Sequence, residues 1–258
     1  MGRLAQASRP FDSDTDVTAD RPPLADGVPD RLYGRRRGHP LRPRQQRLLD
    51  ETLPRLDLGA GAADPAAAFA LDSAPLWLEV GFGGGEHTLA QLAMHPEAAI
   101  IASEVFENGL CSLLSRLVPD GAEATGALPR NLRLWPRDAR HLLQQLPAGA
   151  LDRLFLLFPD PWPKARHAKR RFVHPETLPL VARAIRPGGL WRIASDDPTY
   201  QAWVTATMAE QRLFDPLLET DQRPPDWPGT RYEAKAIQAG RQPRYWVFSR
   251  RAAPSPAA

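Results

Sequence analysis

The chain carries one cysteine in 258 residues, Cys111. A single thiol excludes an internal disulfide and any multi-cysteine metal site, and the neighbours Leu110, Leu113 and Leu114 put it in an apolar helical pattern, as ordinary core. Long apolar runs are also lacking, so no membrane-spanning helix and no membrane partner are expected. The first residues hold no apolar core of signal-peptide length, their aspartates speak against a transit peptide, and Gln6 stands where a myristoylation signal wants Ser or Thr. The expected location is cytoplasmic. His87, His95, His141, His167 and His174 show no ligand spacing, so no metal is expected.

Proline is abundant, with 28 residues gathered in loops and toward both ends. The net charge of +3 is modest, so its distribution matters more than its total. Residues 1–30 carry Asp12, Asp14, Asp16, Asp20, Asp26 and Asp30 among prolines and small side chains, the composition of a disordered acidic tail. The sign then reverses. Arg31, Arg35, Arg36, Arg37, Arg42, Arg44 and Arg47 follow with no acid between them, so 31–72 reads as a basic arm, a short helix from about Gln45 to Leu53, and an Ala-rich linker from about Gly59. The arm either binds RNA phosphate or is simply solvated. Residues 73–251 read as one α/β domain, and 252–258 as a loose tail.

Within that domain Leu76 to Val80 is a strand running into Gly81-Phe82-Gly83-Gly84-Gly85-Glu86 and a helical pattern. Strand, glycine loop and helix open a nucleotide-binding unit. Glu86 stands where the dinucleotide fingerprint needs its third glycine and would repel a pyrophosphate; Gly-Lys-Ser/Thr is missing as well. What remains is a ligand without phosphates, with Glu79 placed for a cationic amine. S-adenosylmethionine, with its amino-acid end, ribose and adenine, fits. Ala99 to Ser103 ends on Glu104, where an acid grips ribose hydroxyls; Asn131 to Leu134 leads to Asp138, suited equally to an adenine amino group or to a helix N-cap.

Leu151 to Phe158 is a further strand. It opens into Phe158-Pro159-Asp160-Pro161-Trp162-Pro163-Lys164, followed by Ala165-Arg166-His167-Ala168-Lys169-Arg170-Arg171. The prolines push Phe158, Asp160 and Trp162 away from the helical region, so a stiff extended loop is expected to hold Asp160 at a strand's C-terminal end, the ligand-binding edge of an open α/β sheet. The plainer alternative is a surface turn with a solvated charge run behind it. A helix from about Pro175 to Ile185 is expected to stop at Pro187-Gly188-Gly189, before a strand from Leu190 to Ala194 that ends at Asp196. Beyond a helix at 200–211 and a strand at 214–219, residues 226–233 read as a turn-rich loop, and Arg244 to Arg250 as the last strand.

The motifs Glu79-Val-Gly-Phe-Gly-Gly-Gly85, Ser103-Glu104-Val105, Phe158 to Arg171 and Thr230-Arg-Tyr-Glu233 together resemble bacterial tRNA (guanine-N7-)-methyltransferase, over about Arg31 to Arg250. The resemblance implies the class I methyltransferase fold, Rossmann-like, with a seven-stranded, mostly parallel sheet and an antiparallel last strand. It implies transfer of a methyl group from S-adenosyl-L-methionine to N7 of a guanosine in the tRNA variable loop, expected at tRNA position 46. By matching motif, Asp160 would be catalytic. Glu79, Gly81, Gly83, Glu104, Asp138 and Asp160 would bind the cofactor, and Lys164, Asp196, Thr230, Arg231, Tyr232 and Glu233 the substrate. Arg166, His167, Lys169, Arg170 and Arg171 would contact RNA. The partner is tRNA, and the expected state is a monomer or weak homodimer. Two rival readings keep the fold: a methyltransferase with another acceptor, and a non-catalytic RNA-binding protein.

Overall fold

The computed structural model describes residues 36–69 and 74–252. The acidic tail, Arg31 and Arg35 lie outside the described residues. Seven strands form one sheet: β1 (Leu76–Val80), β2 (Ala99–Ser103), β3 (Leu132–Trp135), β4 (Leu151–Leu157), β5 (Ile185–Ser195), β6 (Phe214–Thr220) and β7 (Arg244–Arg250), in the order β3-β2-β1-β4-β5-β7-β6. β1 to β5 pair in parallel, and β7 inserts antiparallel between β5 and β6. This is the expected topology. Successive residues alternate between two apolar layers: Leu78, Ile101 and Leu154 face one, Trp77, Ile100 and Phe155 the other. Burial on both faces explains why the parallel strands read as largely apolar runs. Each fully buried Leu or Ile there contributes about 1.5–3 kcal/mol.

Among the described residues there are nine α-helices: α1 (Pro43–Arg47), α2 (Leu53–Leu56), α3 (Pro65–Phe69), α4 (Glu86–Met94), α5 (Glu107–Leu117), α6 (Ala139–Gln145), α7 (Leu178–Ala184), α8 (Pro198–Glu210) and α9 (Arg231–Gln238). α1 continues into α2 through a π-helical turn, Leu48–Thr52, in which Leu53 N donates to Leu48 O. Pro54 follows at once. It has no N–H to offer, and the wider turn absorbs that defect.

Three expectations are corrected. The segment read as a linker is packed: Leu58, Ala62 and Phe69 are buried in the main core, and Leu58 N donates to Leu134 O at 2.9 Å beside the β3 edge. Pro187-Gly188-Gly189 is not a gap before a strand but lies inside β5, which begins at Ile185 opposite Leu151 and shifts register between Leu151 and Arg153. Part of the loop at 226–233 is helical, since α9 starts at Arg231.

Three arginines of the basic arm are engaged by the domain itself. Arg44 and Arg47 pair with the buried carboxylate of Glu123 at 3.2 and 3.5 Å, and Arg37 meets Glu107 at 3.4 Å.

Candidate active site

The C-terminal ends of β1, β2, β3 and β4 surround a cavity of about 440 Å³. Its wall includes Gly81, Gly83, Glu104, Asp138, Asp160 and Tyr232. Sequence-separated acids thus converge because parallel strands all end on one edge.

The glycine loop is fixed from two sides. Beneath it Thr88 Oγ1 donates to Glu79 Oε2 at 2.6 Å, and His87 Nδ1 lies 3.0 Å from the same oxygen. This ties β1 to α4 on either side of the turn. Glu79 is buried, and its carboxylate meets His87 and Thr88. From the front, Glu104 Oε2 accepts from Gly83 N at 2.8 Å, while Oε1 accepts from Val105 N and Phe106 N at 2.8 and 2.9 Å. Burial raises the Glu104 pKa above the usual carboxylate value; the three N–H groups oppose that and the nearby charge of Asp160 adds to it. Gly83 has φ +58°, and a Cβ there would lie 2.8 Å from the Tyr232 ring. Glycine is needed twice over at this position.

Asp138 lines the cavity and caps α6. Its Oδ1 accepts from Arg140 N at 2.9 Å, and Arg140 Nη2 reaches Oδ2 at 2.5 Å. Both carboxylate oxygens are therefore engaged by Arg140.

Asp160 is exposed on the cavity wall. Its loop differs from the expected extended form: Phe158 and Trp162 have φ +52° and +44°, the only positive values outside glycine among the described residues. Each such residue costs about 1–3 kcal/mol and persists only where its surroundings over-determine it. Phe158 N is held by Ala194 O at 2.8 Å. The Trp162 ring packs within its own segment, 4.8 Å from the Arg170 guanidinium and edge-on to His167.

The basic run divides. Lys164, Arg166 and Lys169 are exposed along a 3-10 turn, Ala165–Arg170. His167 accepts from Arg166 Nε at 3.3 Å, and desolvation together with the surrounding cations lowers its pKa, so it brings little charge. Arg171, expected to contact RNA, points inward. It is 5% exposed and bonded to the carbonyls of Pro161 and Trp162.

The substrate positions divide likewise. Tyr232 stands at the cavity, 45% exposed. Arg231 is exposed beside it, 5.9 Å from its ring. Lys164 lies off the cavity, and Asp196 pairs with Arg241 at 2.6 Å. Thr230 and Glu233 form a capping box at the start of α9: Glu233 N donates to Thr230 Oγ1 at 3.1 Å and Thr230 N to Glu233 Oε2 at 3.3 Å. Buried Glu233 also accepts from Tyr245 Oη at 2.6 Å and pairs with Arg223. Its carboxylate builds the helix and is not open to substrate. Sequence reading missed Gly109, which lets α5 approach the glycine loop; a glycine inside an apolar helical pattern gave no signal.

A chain at least 30% identical over most of its length shares a family as well as a fold. The tRNA (guanine-N(7)-)-methyltransferase of Granulibacter bethesdensis is 63% identical over 224 residues, 86% of this chain and 96% of that one. This chain belongs to the tRNA (guanine-N7-)-methyltransferase family. The member from Rhodospirillum rubrum is 49% identical over 231 residues, 86% of this chain and 88% of its own. A family model described as "Putative methyltransferase" matches residues 73–244. Among solved structures, the 16S rRNA methyltransferase KamB covers 73% of this chain and 94% of its own at 16% identity and a TM-score of 0.52. That likeness carries the fold alone. Among the described residues no cluster suits a metal ion, and no helix is long and apolar enough to cross a membrane.

Proposed function

We propose that the protein transfers the methyl group of S-adenosyl-L-methionine to N7 of a guanosine in tRNA, within the variable loop at position 46. The observation that carries this reading is the position of Asp160, exposed on a cavity wall it shares with Gly83 and Glu104 and set between two residues of positive φ. The names of the relatives support the acceptor.

The residues fit the cofactor. A cavity of this volume takes a nucleoside-sized ligand, no atom lies within 4 Å of a Cβ built on Gly81, and the acids along the wall suit a cation bearing hydroxyl and amino groups. Gly81, Gly83, Glu104 and Asp138 would hold it, with Glu79 supporting the loop from beneath. When bound, S-adenosyl-L-methionine supplies an electrophilic methyl group on a sulfonium centre.

N7 of guanine is a lone-pair acceptor with no proton, so the enzyme needs no general base there. Asp160 instead accepts from the N1–H and N2 amino edge of the guanine. Methylation makes the base cationic and its N1–H more acidic, so this contact strengthens along the reaction, which is the differential stabilisation that catalysis requires. Tyr232 covers Gly83 and offers a ring face to an extruded base. Lys164, Arg166 and Lys169 attract tRNA phosphates.

Incubation with cofactor and an unmodified tRNA transcript, followed by digestion to nucleosides, tests the reaction. N7-methylguanosine is the expected product, and cleavage of the RNA at that nucleoside maps the position. A different methylated nucleoside contradicts the acceptor; no product in the presence of bound tRNA and cofactor favours the non-catalytic reading.

A further inference from the structure

Asp160 sits in a loop whose backbone is unfavourable at two positions, Phe158 and Trp162. Something must hold both ends. The N-terminal end is secured to β5 by the bond from Phe158 N to Ala194 O. At the C-terminal end, Arg171 Nε donates to Pro161 O at 3.1 Å and Nη2 to Trp162 O at 2.9 Å, so one planar fork grips two successive carbonyls. The guanidinium carbon lies 4.7 Å from the Trp203 ring centre. Trp203 Nε1 in turn donates to Val173 O, and Val173 N to Tyr200 Oη, which fastens α8 to the backbone just past Arg171.

We propose that Arg171 is a positioning residue: its buried guanidinium clamps the Pro161 and Trp162 carbonyls and thereby fixes the Asp160 carboxylate at the cavity wall, instead of binding tRNA phosphate. This rests on the reading of the site as a tRNA methyltransferase. At 5% exposure the Arg171 cation is withheld from solvent, unlike Lys164, Arg166 and Lys169 in the same run. Its chemistry is specific to arginine. A lysine has no fork to span two carbonyls and no flat face to lay on Trp203.

The full-length protein carrying Arg171→Gln or Arg171→Lys is compared with wild type in three measurements. These are kcat and KM on tRNA transcript, the salt dependence of tRNA affinity, and hydrogen exchange of a peptide spanning residues 158–164. Arg171→Gln is expected to lower kcat by about 100-fold, the scale of a misplaced catalytic group. It should leave tRNA affinity and its salt slope unchanged while speeding exchange at the Phe158 amide, which Ala194 O protects in the wild type. Arg171→Lys does not rescue turnover. Lys169→Gln, the comparator, flattens the salt slope by about 0.7–0.9. Wild-type kcat in Arg171→Gln, or a flattened slope with kcat intact, overturns the proposal. If Arg171→Gln does not fold, Trp203→Leu removes the supporting ring without touching charge; a drop in kcat at constant tRNA affinity upholds the clamp and an unchanged kcat overturns it. Should wild type itself form no methylated nucleoside, the tRNA reading fails, and the exchange measurement alone decides the clamp.

Discussion

The carbonyl of Gly83 faces Gly109 so closely that a Cβ on Gly109 would lie 2.4 Å from the Gly83 oxygen. The first turn of α5 therefore presses on the glycine loop through a position with no side chain. Backbone cannot swing aside, so Gly109→Ala must displace either the loop or the helix. The expected cost is about 1–3 kcal/mol in stability. Affinity for S-adenosylhomocysteine should fall roughly tenfold or more, equivalent to about 1.4 kcal/mol. Calorimetric titration checks it; unchanged affinity means the loop is not part of the ligand site.

The Glu233 carboxylate joins the α9 cap, buried Tyr245 and half-exposed Arg223 in one network. Glu233→Gln keeps the shape but loses the charge that holds these donors. Unfolding free energy should drop by about 1–3 kcal/mol. Melting in the absence of tRNA detects this loss, whereas a purely substrate-contacting residue would leave melting unchanged.

The strands were legible in the sequence because parallel strands buried on both faces are largely apolar, and a glycine, proline or polar residue follows soon after their ends, as at Gly81, Glu104, Pro136 and Asp160. What those polar residues do was less so. Glu79 and Glu233 read as ligand contacts and Asp138 as a ligand contact or a helix cap; each carboxylate is engaged by a group within nine residues of itself, through Thr88, Thr230 and Arg140. A carboxylate near a glycine or at a helix start serves a local cap as readily as a ligand, and spacing alone does not separate the two. Arg171 was lost inside a basic run for a related reason. Charge is visible in sequence, but the burial that turns one cation of five inward depends on Trp203, more than thirty positions away. The helix at Arg231 was hidden by the turn-forming residues before it, although Thr230 and Glu233 stand at capping-box spacing.

Burial, with the charge of Glu107, pushes the Cys111 thiol up to about 11. A thiol whose folded pKa lies above the unfolded value near 9.0 contributes stability that is complete below 9.0 and is lost as pH rises through about 11. Native protein at pH 8 should therefore react with a disulfide reagent far more slowly than denatured protein, with the rate climbing through that alkaline window. Equal rates in the two states contradict the burial.

Arg44 and Arg47 meet Glu123, while Arg166 is exposed on the 3-10 turn after the Asp160 loop. Arg44→Gln is accordingly expected to lower the melting temperature and to leave the salt slope of tRNA binding intact. Arg166→Gln should do the reverse, reducing the slope by about 0.7–0.9. Titrations at several salt concentrations separate them.

The central claim is that the Asp160 carboxylate stabilises the positive charge that develops on a methylated guanine. Single-turnover formation of N7-methylguanosine by Asp160→Asn, with cofactor and tRNA both saturating, tests it most directly. The rate should fall by about 100- to 1000-fold while both ligands still bind, the range seen when one charge-stabilising contact is removed. Turnover at the wild-type rate in that variant would contradict the charge-based role of Asp160.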